Sequence, residues 1–122
     1  MLLRTMVTPL ARRRPQIVAK HLTTLDSLSQ GRAVIGVGLC GDVNDFTLFG
    51  ETSDVKVRAA KLDESLELIR KYLGNEPVFH EGKYYRVQGA DVSPGPIQRT
   101  GIHTYVGGNS RAAIRRSAEL NG

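Results

Sequence analysis

The stretch TLDSLSQGRAVIGVG, Thr24 to Gly38, changes from one periodicity to another within a few residues. Its first half closes a helical pattern. Val18, Leu22 and Leu25 share one face, with Leu28 one turn further on. Gly31 is placed to end that helix as a left-handed cap, because glycine takes positive φ without a Cβ penalty. The run that follows, AVIGVGL, is continuously apolar and rich in β-branched residues, the pattern of a strand buried on both faces. A helix leading at once into such a strand predicts a parallel sheet covered by helices.

Working outward, the same alternation recurs on both sides. Toward the amino terminus, LLRTMVTPL reads as a strand and its exit loop, with Pro9 stopping regular pairing. Pro15 suits the first turn of the helix, where its missing N–H costs nothing. Toward the carboxyl terminus, a loop runs from Cys40 to Ser53, and Asp54 then caps a second helix. Ala59, Leu62, Leu66, Ile69 and Leu73 make its apolar stripe, and Gly74 terminates it. PVFHEGKYYRV reads as a hairpin turning at Glu81-Gly82. SPGPIQRTG is a turn-rich connection, IHTYV a short strand, and SRAAIRRSAEL a helix ended by Asn121-Gly122. The fold class is therefore α/β: about three β/α units with an inserted hairpin, joined by right-handed crossovers. Such units belong to a doubly wound sheet or to part of a (β/α) barrel.

The bulk numbers narrow the function classes. A chain of 122 residues with 40% hydrophobic and 24% charged residues has the composition of one globular domain. No apolar stretch is long enough to cross a membrane. The single cysteine, Cys40, cannot form an internal disulfide, so a reducing, cytoplasmic setting is expected. The net charge is +5, with Arg12, Arg13 and Arg14 near one end and Arg111, Arg115 and Arg116 near the other. No zinc-finger spacing or aromatic RNA-binding motif accompanies them, so nucleic acid is not the expected partner. The acid-free, arginine-rich start suggests a transit peptide, but Pro15 splits it and a core helix follows.

Five features bear on chemistry. Gly36, Gly38 and Gly41 spell G-x-G-x-x-G after a strand, yet no helix pattern opens on that turn as a dinucleotide site requires. Glycines that let the strand pack closely beside a ligand are the better account. VGGNSR is either a phosphate cradle or a simple strand-to-helix turn, since a helix amino terminus offers unpaired N–H groups and a favourable dipole. In the cradle reading Gly107 and Gly108 admit the phosphate, Asn109 or Ser110 caps the helix, and Arg111 adds charge. The acids Asp42, Asp45, Glu51 and Asp54 are read as facing water while Phe46, Leu48 and Phe49 pin their loop. His21, His80 and His103 lack metal-ligand spacing, and His21 and His80 are assigned to the surface. Cys40 is read as a small buried filler. No residue can be named as catalytic acid, base or nucleophile.

TMVTPLARRRPQIVAKHLTTLDSLSQGRAVIGVGL, FGE, RAAKLDESLELIRKYLG, VFHEGKYYRV, GPIQRTGIHTYVGG and RAAIRRSAELNG together resemble the bacterial luciferase-like monooxygenases, flavin-dependent oxidoreductases with deazaflavin-dependent relatives. The resemblance implies a partial TIM-like (β/α)8 barrel with FMN or a deazaflavin coenzyme at the carboxyl ends of the strands. It implies a small organic substrate and, for the flavin enzymes, a partner reductase. It places Gly107, Gly108, Asn109, Ser110 and Arg111 near the coenzyme phosphate, tipping the choice above toward the cradle. It sets Thr5, Met6, Val7 and Thr8 on a strand that carries a bulge, sometimes with a non-proline cis bond, against the ring system. A complete barrel takes roughly 250 residues. Residues 1–122 are therefore expected to be a single central fragment of such a domain, inactive alone. The alternative is a non-catalytic partial-barrel remnant whose open edges drive self-association, as a homo-oligomer.

Overall fold

The computed structural model describes residues 1–121. Three parallel strands form a sheet in the order β1–β2–β5: Leu3–Arg4 (β1), Ala33–Val37 (β2) and Thr104–Val106 (β5). Leu3 pairs with Ala33 and Arg4 with Val34 on one side, and Ile35, Gly36 and Val37 pair with Thr104, Tyr105 and Val106 on the other. Central β2 is buried at every residue, which is why its sequence shows no polar alternation. A separate antiparallel hairpin joins Val78–Glu81 (β3) to Arg86–Ala90 (β4). The helices are Pro15–Leu28 (α1), Asn44–Thr47 (α2), Val55–Tyr72 (α3) and Arg111–Asn121 (α4), with a 3₁₀ turn at Leu10–Arg12. The β/α alternation and the inserted hairpin are as expected; the expectation that Gly122 ends the last helix lies outside the described residues.

The core lies between the helices and one face of the sheet. Leu10, Val18, Leu22, Ile35, Val37, Leu62, Ile69 and Ile102 form its centre. Each such aliphatic side chain contributes roughly 1.5–3 kcal/mol by leaving water. A second cluster of Ala19, Leu68, Tyr72, Val78 and Val92 fixes the hairpin against α1 and α3. Helix α3 thus buries a wider arc than the apolar stripe alone.

Several local expectations are corrected. Helix α1 ends in a Schellman motif: Gly31 N–H donates to Asp26 O at 2.8 Å and Gln30 N–H to Ser27 O at 3.2 Å. Gly31 is left-handed as expected, at φ 81°; the addition is Gln30, which precedes it at φ 57°. Leu28, read as part of the apolar face, is 80% exposed. After α3 the left-handed position is Asn75, not Gly74. The hairpin turn spans Gly82 to Tyr85, closed by Gly82 N–H to Tyr85 O at 2.9 Å, because Glu81 still pairs with Arg86. The Cys40–Ser53 segment contains a one-turn helix, α2, rather than loop throughout. That turn has one inward face, so Phe46 is buried while Leu48 and Phe49 are 77% and 78% exposed.

Asp26 and Gln98, 72 positions apart, brace the fold. The buried Asp26 carboxylate accepts from Gln98 N–H at 3.0 Å and from its Nε2 at 2.6 Å, while the same Nε2 donates to Ala33 O at 2.8 Å. Burial pushes the Asp26 carboxyl up, but the hydrogen bonds from Gln98 outweigh it and hold the pKa below its ordinary value. This brace delivers the chain to β5 beside β2.

Candidate functional site

Because the three strands are parallel, the segments that leave their carboxyl ends meet on one side. After β1 the chain bulges. Arg4 pairs with Val34 and Thr8 bridges to Val37, so four steps along the first strand match three along the second. The Thr5 side chain replaces the interrupted ladder: its Oγ1 donates to Gly36 O and accepts from Gly36 N–H, both at 3.1 Å. Thr8 Oγ1 donates to Thr5 Oγ1 at 2.8 Å, and Thr8 N–H donates to Gly36 O at 2.6 Å. The Met6–Val7 peptide is cis, and the Met6 side chain stands 75% exposed. The bulge and the cis bond are both where the resemblance put them.

The glycines explain how the bulge is seated. A Cβ on Gly36 would strike the Thr5 carbonyl oxygen. A Cβ on Gly38 would lie 3.1 Å from Val7 Cγ2, and one on Gly107 would lie 3.0 Å from Val7 Cγ1. Gly41 meets nothing within 4 Å. The glycines after β2 therefore make room for the neighbouring strand, as the sequence suggested, and do not form a dinucleotide loop. Val7 sits against both Gly38 and Gly107, so the bulge and the glycine turn after β5 form one continuous surface.

That turn leads directly into α4. Gly107 N–H donates to Val37 O at 2.7 Å, extending the ladder, and Gly108 has φ +115°, which favours glycine. Ser110 is the cap, its Oγ accepting from Ala113 N–H at 3.1 Å. The amides of Arg111 and Ala112 have no partner within a helix. The first turn carries no acid, and Asn109 and Arg111 are exposed at its tip. An anion placed there meets open N–H groups, the positive end of the helix dipole and a guanidinium.

The remaining candidates resolve mostly into structural duties. Asp42 accepts from Asn44 N–H at 2.9 Å, and Asp54 caps α3 through Lys56 and Val57 N–H at 2.8 and 3.1 Å. The Arg12 and Arg58 guanidinia both lie over the Phe46 ring, at 5.4 and 4.7 Å from its centre. Buried Arg58 also donates to Leu39 O and Cys40 O at 3.0 and 2.9 Å, fixing the exit of β2. Sequence reasoning missed Arg58; an arginine one turn into a capped helix gives no sign of burial. Cys40 is half-buried at φ 59°, not a buried filler. His21 and His103 are exposed, the latter edge-on to Tyr105.

His80 is a clear correction, since its side chain is only 7% exposed and Nε2 lies 3.0 Å from Glu64 Oε1. Glu64 also accepts from Tyr84 and Tyr85 N–H, each at 3.0 Å. Burial raises its pKa, yet the bonds from His80 and the two amides leave it lowered. This group fastens the hairpin to α3. Arg116 forks onto Asp63 at 2.5 and 3.1 Å, tying α4 to α3. Among the described residues no group of three or more His, Cys, Asp or Glu is placed to hold a metal ion.

The architecture is that of a (β/α)-barrel segment, a fold whose ligand sites lie at the carboxyl ends of the strands. The chain belongs to the luciferase-like monooxygenase family, matching it over residues 1–121. It is 34% identical over 116 residues to an F420-dependent glucose-6-phosphate dehydrogenase of Nakamurella multipartita, covering 95% of this chain and 34% of that protein. It superposes on the coenzyme F420 dependent tetrahydromethanopterin reductase of Methanopyrus kandleri with TM-score 0.82 and 32% identity, over 98% of this chain and 38% of the other. A type II Baeyer–Villiger monooxygenase from Pseudomonas putida, in complex with FMN, shares the fold at TM-score 0.73 and 22% identity, over 90% of this chain and 33% of that one. The chain spans about a third of the length of the curated relatives it matches.

Proposed function

We propose that this chain supplies one wall of the coenzyme site of a deazaflavin- or flavin-dependent oxidoreductase. The observation that carries the reading is Val7, wedged against Gly38 and Gly107, which merges the β1 bulge and the α4 amino terminus into a single surface. The residues fit such a coenzyme: open amides, a turn without Cβ atoms and no acid in the first turn of α4. Gly107, Gly108, Asn109, Ser110 and Arg111 would hold its phosphate, and Met6 and Val7 would back its ring. A bound coenzyme of this class supplies hydride transfer or, as a reduced flavin, oxygen chemistry. The chain's own part is to bind, orient and shield one side.

Likeness to F420-dependent relatives favours the deazaflavin form, with FMN second. The substrate is a small organic molecule met at the same face, in the cytoplasm; in the FMN form a partner reductase delivers the reduced coenzyme. Residues 1–122 act as one barrel segment. Three strands enclose only part of a site, so the 122-residue chain alone binds coenzyme weakly and does not turn over substrate.

Fluorescence titration of the chain with coenzyme F420 and with FMN tests this. Weak saturable binding that Arg111→Ala reduces further is expected. Sub-micromolar affinity contradicts the partial wall, and binding indifferent to Arg111→Ala contradicts the phosphate assignment. A second reading, self-association, is favoured by the short edge strand β1 beside exposed Met1 and Leu2. Light scattering that shows a discrete oligomer, with no coenzyme bound after reconstitution, supports it instead.

A further inference from the structure

Thr5, Met6, Val7 and Thr8 enter the site together in sequence, but the structure divides them into two kinds. Met6 projects outward and Val7 fills the space above two glycines. The Thr5 hydroxyl bonds instead to the backbone of β2, and the Thr8 hydroxyl bonds to it. Thr5 Oγ1 accepts from the N–H and donates to the C=O of one residue, Gly36. Its remaining lone pair takes the proton of Thr8 Oγ1. The hydroxyl therefore does the work of a missing backbone pair at the point where β1 leaves register. It can do so only because position 36 lacks a Cβ, which would strike the Thr5 carbonyl.

We infer that Thr5 is a positioning residue: through Gly36 it sets the height and orientation of the Met6–Val7 bulge against the coenzyme, without touching the coenzyme itself. This deepens the coenzyme-wall reading and rests on it. Gly36, Gly38 and Gly107 then form the receptor for the bulge, and Thr8 orients the Thr5 hydroxyl. A valine at position 5 keeps the volume and removes the hydroxyl. Serine keeps the hydroxyl and loses only a methyl group.

The test compares Thr5→Val and Thr5→Ser with the parent chain by two readouts. One is amide hydrogen exchange at Gly36 and Val7, which needs no coenzyme. The other is the affinity and bound-state fluorescence of coenzyme F420. Thr5→Val is expected to speed Gly36 exchange and weaken coenzyme binding, each about tenfold, the scale of one lost hydrogen bond at a partly buried group. Thr5→Ser is expected to stay near the parent in both. Unchanged Gly36 exchange in Thr5→Val overturns the clamp. Faster exchange with parental coenzyme affinity and fluorescence overturns the positioning role. A parent chain that binds no coenzyme overturns the coenzyme-wall reading and the positioning role with it, while the exchange data still decide the clamp. If Thr5→Val does not fold, Thr8→Val, which removes only the proton donated to Thr5, is expected to give the same pattern more weakly; parental behaviour there refutes the arrangement.

Discussion

Replacing Asp26 by alanine should be among the costly polar changes, because its carboxylate is buried and bonded across the fold. The carboxylate is fully buried and receives two hydrogen bonds from Gln98, one from its backbone N–H and one from its amide. Alanine leaves the backbone donor with no partner and weakens the hold on the side chain, which keeps only Ala33 O. A buried donor left unpaired costs about 1–3 kcal/mol, so loss of both bonds amounts to about 3–4 kcal/mol. For a domain of this size that lowers Tm by about 10–15 °C. Asp26→Asn keeps one acceptor and should cost about half as much.

The pH dependence separates charge from shape in that pair. The folded-state pKa of Asp26 lies below the ordinary 3.8, so its contribution is present above that value and lost as pH falls through the lower folded value. The stability gap between the parent and Asp26→Asn should therefore narrow on acidification below 3.8. Urea denaturation across that range measures both effects. An Asp26→Ala variant within about 0.5 kcal/mol of the parent, the scale of an ordinary surface change, would refute the brace. So would a gap to Asp26→Asn that does not move with acid.

Two other substitutions probe the surroundings of the site. Glu64→Ala releases His80 and the Tyr84 and Tyr85 amides, so hydrogen exchange over residues 78–90 should accelerate, at a cost of about 2–4 kcal/mol. Because the Glu64 pKa is lowered, the fastening should hold above 4.5 and fade as pH falls below it. Gly36→Ala drives a Cβ into the Thr5 carbonyl and should cost about 1–3 kcal/mol with shifted Thr5–Thr8 amide resonances. Gly41→Ala, which meets nothing within 4 Å, should behave as a surface change.

The alternation of strands and helices was legible because burial writes itself into side-chain periodicity. The continuous run of β2 and the Asp54 cap are local signals, and both appear as read. Backbone geometry left weaker traces. Gly31 is left-handed as read, but Gln30 joins it there, and Asn75 takes the left-handed position in place of Gly74, since neighbouring hydrogen bonds, not the residue alone, choose the site. Phe46 could not be told from Leu48 and Phe49, because its burial depends on Arg12 and Arg58 from other elements. His80 and the Asp26–Gln98 brace are long-range pairings with no spacing rule. At the site, a glycine pair before a capped helix could be read directly, but the β1 bulge leaves no periodic mark, and only resemblance to a family pointed to it.

In the proposed site the bulge after β1 and the glycine turn into α4 receive one ligand together. Amide chemical-shift mapping of the 122-residue chain during titration with coenzyme F420 tests this most directly. Gly107 to Ala112 and Met6 to Thr8 are expected to shift with a single shared titration curve. Shifts confined to the hairpin or to Gly41 and its neighbours, or separate curves for the two segments, would contradict it.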